Sequence, residues 1–145
     1  MKVELKIDES FEETKVVIYS NKLSDEINIL IKKLSEENPD HIIGHKDETI
    51  EIIEQKDILR IYSALGKVYL VTSTQEYLAK YRLYELEGIL NKNFIRISNS
   101  EIINLKKVKN FDLSLSGTIY VTFINNSSTY VSRRYINKIK SVLGI

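Results

Sequence analysis

The chain has 145 residues, 43% of them hydrophobic, no cysteine and a formal charge of +1. That length provides one domain with room for a sizeable core and at most a small appendage. The lack of thiols excludes a disulfide framework and a thiolate metal site and fits a reducing compartment. No apolar run approaches the roughly 20 residues of a membrane span, and the alternating start "MKVELKIDES" is not a signal peptide. A soluble cytoplasmic protein is expected. Its charge is unevenly spread. Residues 1–48 hold 7 basic and 12 acidic side chains, residues 49–91 hold 5 and 6, and residues 92–145 hold 9 and 2. A basic last third points to a polyanionic partner, against the plainer reading that lysines there aid solubility.

In chain order, "KVELKI" (2–7) alternates apolar and polar residues as a half-buried strand does, and "TKVVIY" (14–19) reads as a second strand. Ile27, Leu30, Ile31 and Leu34 then fall on one helical face, with Ser24 as N-cap, Asp25 and Glu26 in the first turn, and Asn38-Pro39-Asp40 as the stop. "HIIGHKDE" (41–48) reads as a connection or a short strand with a turn. Residues 49–54, 58–63, 67–72 and 77–81 are rich in β-branched and aromatic residues and read as strands. Ala64-Leu65-Gly66 joins two of them tightly, and Ser73-Thr74-Gln75 turns the next hairpin. Leu83, Leu86 and Leu90 recur at helical spacing. "FIRIS" (94–98) is a strand with Phe94 and Arg96 on one face and Ile95 and Ile97 on the other. Residues 101–111 fit either a strand or a short helix. "GTIYVTFI" (117–124) and "STYVS" (128–132) flank Asn125-Asn126, a tight hairpin signal. A last helix begins after Ser132, with Ile136, Ile139 and Leu143 inward. The expected class is mainly β (α+β), an elongated antiparallel sheet with two or three short helices. The expected division is a short acidic strand–strand–helix extension over 1–44 and a main domain over 45–145.

The chain offers little for catalysis. His41 and His45 have a spacing of four that can ligate a metal on a helix, but they lie in a turn-like segment with no third ligand in sight. There is no phosphate-binding glycine loop and no nucleophile elbow. No cofactor, metal, small-molecule substrate or enzymatic activity is expected. The arginines are more informative. Three of the five, Arg96, Arg133 and Arg134, lie in the last 50 residues, and guanidinium forks suit guanine edges and phosphates. Asn99 lies between serines in "ISNS", where it either makes short polar contacts to nucleic acid or simply turns the chain. Arg133 and Arg134 open the last helix, where a cation opposes the helix dipole by about 0.3–1 kcal/mol. Either the two side chains simply snorkel into water, or an anion is expected there.

"NFIRISNSEIINLKKVKNF", then "GTIYVTF", then "VSRRYINKIKSVL" resemble the LytTR DNA-binding domain family. The matching elements are Phe94, Arg96, Ser100, the Ile102-Ile103-Asn104 run, and Val131 to Tyr135. "ILRIYSALGKVYLVT" and "YRLYELEGIL" occupy the expected places, so the resemblance covers roughly residues 45–145. It implies a bacterial, two-component-like transcription regulator built mainly from strands, whose loops enter successive major grooves of double-stranded DNA. The residues before the match are too few for a receiver domain, which needs on the order of 100. The resemblance is therefore to stand-alone regulators, which are often restrained by a small membrane protein. A homodimer on DNA is also expected.

Carried over by position, the resemblance implies DNA contacts at Gly66-Lys67, at Asn99 with Ser100, and at Arg134 with its neighbours. Many family members have an acidic residue where this chain has Tyr62, and some have a histidine near Gly66; this chain has neither. The expected DNA-binding set is Lys67, Arg96, Asn99, Ser100, Ser132, Arg133, Arg134, Asn137 and Lys138. Arg134 and Asn99 read bases, while Arg133, Lys138, Ser100 and Ser132 hold phosphates. The alternative is an interaction module whose N-terminal helix docks a partner or dimerises, with the basic end incidental. RNA binding lacks the exposed aromatic signature.

Overall fold

The computed structural model describes residues 1–35 and 40–145. The elements are α1 (Asp25–Ser35), β1 (His41–Lys46), β2 (Thr49–Glu54), β3 (Ile58–Ala64), β4 (Lys67–Thr72), β5 (Glu76–Ala79), α2 (Leu83–Ile89), β6 (Phe94–Ser98), β7 (Glu101–Asn104), β8 (Val108–Asp112), β9 (Ile119–Phe123), β10 (Ser128–Val131) and α3 (Ile136–Leu143). The strands form a seven-stranded antiparallel sheet, ordered β2-β1-β5-β4-β3-β7-β6, and a three-stranded one, ordered β10-β9-β8. The fold is mainly β with three short helices, as expected.

Two cores lie on opposite faces of the large sheet and share the strands β3 and β7. On one face Ile61, Leu70 and Ile102 pack against Leu83, Leu86 and Leu90 around α2. On the other, Leu59, Ile95, Ile97 and Ile103 pack against Val121, Phe123 and Val131 of the small sheet and Ile139 of α3. Adjacent residues of a strand point to opposite faces. Ile102 and Ile103 therefore enter different cores, and both are fully buried. Each such burial contributes about 1.5–3 kcal/mol.

The ambiguous stretch 101–111 resolves into β7, a 3-10 turn at Leu105–Lys107 and β8. Asn104 makes that break. Its buried side chain donates to the Ile58 carbonyl (2.9 Å) and accepts from the Lys106 N–H (3.0 Å). The chain thereby leaves the large sheet and enters the small one without an unpaired buried polar group. The Asn125-Asn126 hairpin is wider than expected: the Phe123 N–H donates to the Ser127 carbonyl (2.8 Å), and Asn126 takes a positive φ of 68°.

The N-terminal part departs from expectation. Residues 2–7 and 14–19 belong to no ladder. Two short strands without a sheet to join are at best marginal in water, and β1 and β2 do not take them up. β1 also crosses position 44/45, so the sheet starts inside the stretch assigned to the extension. Helix α1 forms, and Ser24 caps it by accepting from the Ile27 N–H (3.3 Å). The expected stop at Asn38-Pro39 lies outside the described residues. The packed face of α1 differs from the expected stripe. Ile29 sits where a Cβ on Gly88 would approach to 2.8 Å, whereas Ile31 and Leu34 are exposed. Lys32 also donates to Glu85 (3.0 Å), and this bond, followed by the Arg82 N–H, holds the Glu85 carboxyl below its usual range. Gly88 is thus what lets α1 close onto α2.

Replacing Asn104 by Ala removes the partner of the buried Ile58 carbonyl and of the part-buried Lys106 N–H. The expected loss is about 1–3 kcal/mol, read as a lower urea midpoint with an unchanged slope.

Candidate nucleic-acid interface

Strand register brings three turns to one end of the large sheet. Tyr62 of β3 lies opposite both Tyr69 of β4 and Glu101 of β7. The β3–β4 turn and the β6–β7 turn must therefore lie side by side. The Ser63 N–H donates to the Ser100 carbonyl (2.8 Å) and ties them. The third piece is the entry to α3: the Ser132 N–H donates to the Ile97 carbonyl (3.0 Å), and the Tyr135 hydroxyl donates to Asn99 Oδ1 (3.2 Å). The acidic β1–β2 turn, Asp47-Glu48, lies at the opposite end, beside the β4–β5 turn, where Lys46 donates to Gln75 (2.8 Å).

Across the first turn, Ala64 pairs with Lys67 around Leu65-Gly66, whose φ values are 52° and 76°. Two positive φ values make a type I′ turn, which matches strand twist and favours Asn-Gly. Leucine in the first position is strained, and its side chain is 100% exposed at the tip. The tight Ala64-Leu65-Gly66 connection is as expected; the signal for strain at Leu65 is a bulky residue before glycine in a two-residue hairpin.

In the second turn Asn99 and Ser100 are exposed. Arg96 does not join them at the surface, because its side chain is only 20% exposed. Its guanidinium donates to the Ser98 carbonyl (3.0 Å), to the Asn99 carbonyl and to the Glu87 carboxylate. A planar fork suits that three-way grip. Arg96 therefore holds the loop from behind instead of projecting toward a ligand. With the Asn99 carbonyls held by Arg96 and Tyr135, the amide nitrogen of its side chain bonds to nothing among the described residues. In the sequence Tyr135 is only the last member of the Val131–Tyr135 block; its positioning contact depends on tertiary structure.

The third piece also departs from the expected helix start. Arg133 and Arg134 occupy a 3-10 turn, Arg133–Tyr135, and α3 begins only at Ile136. Ser132 precedes that turn, and its side chain makes no capping bond. The arginines therefore precede the α-helix and do not oppose its dipole in its first turn. The two diverge. The Arg133 guanidinium lies against Gly117, where an added Cβ would sit 3.5 Å from its Nε. Arg134, Asn137 and Lys138 are exposed, as is Lys67, and none makes a side-chain hydrogen bond or ion pair among the described residues. Lys138 borders a cleft that also carries Glu87, Lys92 and Arg96.

The nearby acids are neutralised internally. Glu87 is held by Arg96. Glu101 accepts from Arg60 (3.0 Å) and from Thr129 (2.9 Å), which ties the two sheets together. Arg60 also lies 4.8 Å from the Tyr62 ring, and Tyr62 stacks on Tyr69 at 5.1 Å. The hydrogen bond to Glu76, aided by burial, pushes the Tyr62 phenol up to about 12. Tyr62 is thus a neutral structural member of β3. His41 and His45 lie on β1, where a spacing of four spans about 13 Å. They cannot share one metal, and among the described residues no cluster of three or more His, Cys, Asp or Glu side chains has metal-binding geometry.

This chain belongs to the LytTr DNA-binding domain family, whose model matches residues 48–144. It is 34% identical to HTH-type transcriptional regulators of Staphylococcus aureus strains NCTC 8325 and COL, over 100% of this chain and 99% of each relative. Its fold resembles a LytTr DNA-binding domain from Bacillus cereus with a TM-score of 0.71 and 21% identity, covering 73% of this chain and 98% of that one. Among the described residues, strands separate α1 from α2 and α2 from α3, so no two α-helices are consecutive. The turns and the α3 entry are what this fold presents at the assembled end.

Replacing Arg96 by Met keeps the stem and removes the fork. Amide exchange at residues 98–100 is expected to accelerate, with a stability loss of about 1–3 kcal/mol. Replacing Leu65 by Asn relieves the left-handed strain and is expected to raise stability by about 1 kcal/mol, read in urea unfolding.

Proposed function

We propose that this protein is a transcriptional regulator that reads double-stranded DNA sequence-specifically through the three joined turns. The observation that carries this reading is the convergence of Lys67, Asn99-Ser100 and Arg134 at one end of the sheet, held by the Ser63–Ser100, Ser132–Ile97 and Tyr135–Asn99 bonds. Family membership over residues 48–144 supports it, as do the relatives' names. Arg134 and the Asn99 amide are the base readers. Lys67, Ser100, Ser132, Asn137 and Lys138 supply backbone contacts, Arg133 anchors a flanking phosphate over Gly117, and Arg96 positions the Asn99 loop.

We further propose a cytoplasmic location. The exposed apolar side chains of residues 1–24 support a protein partner for that extension, either a second copy or, by family resemblance, a small membrane protein. Among the described residues no helix is long and apolar enough to cross a membrane.

Arg134→Ala is expected to cost about 1–3 kcal/mol on the cognate site and to relax preference at one base position. Lys138→Ala is expected to weaken all duplexes alike and to lower the salt slope by about one. Titrations on cognate and scrambled duplexes at several salt concentrations separate the two roles. Equal wild-type affinity for both duplexes at moderate salt defeats the reading.

A further inference from the structure

The two outer strands of the large sheet are treated differently. The β6 edge is held by the Ser132–Ile97 bond and the neighbouring β10 and α3 entry. The β2 edge pairs with no strand among the described residues. The Gln55 N–H donates to the Asp40 carbonyl (2.7 Å), which fixes the phase of the β1–β2 ladder. Backbone groups alternate sides in such a ladder, so those of Ile50, Ile52 and Glu54 point outward. Ile50 and Ile52 are also 65% and 71% exposed. Natural proteins rarely leave a long apolar edge uncovered.

Residues 2–7 have the matching pattern. Val3, Leu5 and Ile7 are 82, 84 and 85% exposed and alternate with Lys2, Glu4 and Lys6. We propose that residues 2–7 of one copy add to β2 of a second copy as an antiparallel strand, in the register that sets Leu5 opposite Ile52. Opposed residues share a face, so Ile7 then meets Ile50 and Lys6 meets Glu51. A parallel alignment through the same pair sets Glu4 against Glu51. The neighbouring antiparallel registers set Glu4 or Asp8 against Glu51. Of these four alignments only the chosen one joins apolar to apolar and cation to anion; a parallel strand that sets Lys6 against Glu51 puts Leu5 against Ile50, and a cysteine pair at positions 5 and 52 distinguishes it. A single chain leaves both the segment and the edge open, and one two-fold pairing closes both at once. β2 and β6 lie at opposite edges of the sheet, so this pairing keeps the three turns accessible.

The lack of cysteine makes the test direct. Opposed residues in this geometry lie about 5.5 Å apart at Cα, within disulfide range. A mixture of full-length Leu5→Cys and Ile52→Cys chains, mildly oxidised without DNA, is expected to give a covalent heterodimer. A Lys6→Cys and Ile52→Cys mixture should give much less. In sedimentation equilibrium, Lys6→Glu is expected to weaken self-association about tenfold, and Lys6→Glu/Glu51→Lys to restore it. The proposal is overturned if the mixture yields no heterodimer. It is equally overturned if a single chain carrying both Leu5→Cys and Ile52→Cys closes only on itself at monomer mass, or if the wild type stays monomeric at high concentration. None of these readouts involves DNA, so they stand apart from the sequence-reading proposal.

Discussion

The burial of β7 on both faces is the constraint on which the rest of the molecule depends. Ile102 and Ile103 are consecutive residues committed to separate cores, one under α2 and one under the small sheet. A strand fixed from both sides cannot slip by one residue, because slippage would exchange the two cores. The Asn99-Ser100 turn is attached directly to this strand, and the β3–β4 turn reaches it through the Ser63–Ser100 bond. Rigidity in the middle of the sheet thus becomes positional accuracy at its end. The buried Asn104 closes the other end of the same strand and redirects the chain into the small sheet.

Electrostatics follow from that framework. The last third of the chain carries 9 basic and 2 acidic side chains, but the cations around the joined turns, some of them from earlier strands, are not equivalent. Arg96 serves the loop and Glu87, and Arg60 serves Glu101. Those pairings leave Lys67, Arg134 and Lys138, with Arg133 beside Gly117, as outward charges around the joined turns. A backbone held by a fork from behind and by Tyr135 from the side presents the Asn99 amide with little left to order on binding. That is the circumstance in which a polar contact contributes most to affinity.

The opposite edge of the sheet is unfinished by comparison. Face-on packing from the small sheet reaches only the β3–β7–β6 end, so Ile50 and Ile52 of β2 gain no cover from the chain's own cores. The N-terminal stretch has the alternation of a strand without a ladder. Its period was legible, but a strand forms only where another supplies hydrogen bonds.

Local rules determined much of this protein from sequence. β-Branched and aromatic content marked the strands from 49 onward except β7 and β8, and spacing marked the inner residues of α2 and α3. The block patterns around Phe94–Asn104 and Val131–Tyr135 marked the family. Those features are legible because periodicity and turn chemistry act over a few residues. Tertiary structure alone decided the jobs of the charged groups. Arg96 looked like a ligand contact in the sequence and became a loop clamp, because Glu87 and two carbonyls converge on it from elements that only folding brings together. Arg133 and Arg134 already carry different roles in the sequence, but their place in a 3-10 turn ahead of the helix, with the Arg133 guanidinium against Gly117, comes only with the packed chain. Side-chain type and local pattern set what each residue can do; which partner reaches it first is a property of the packed chain.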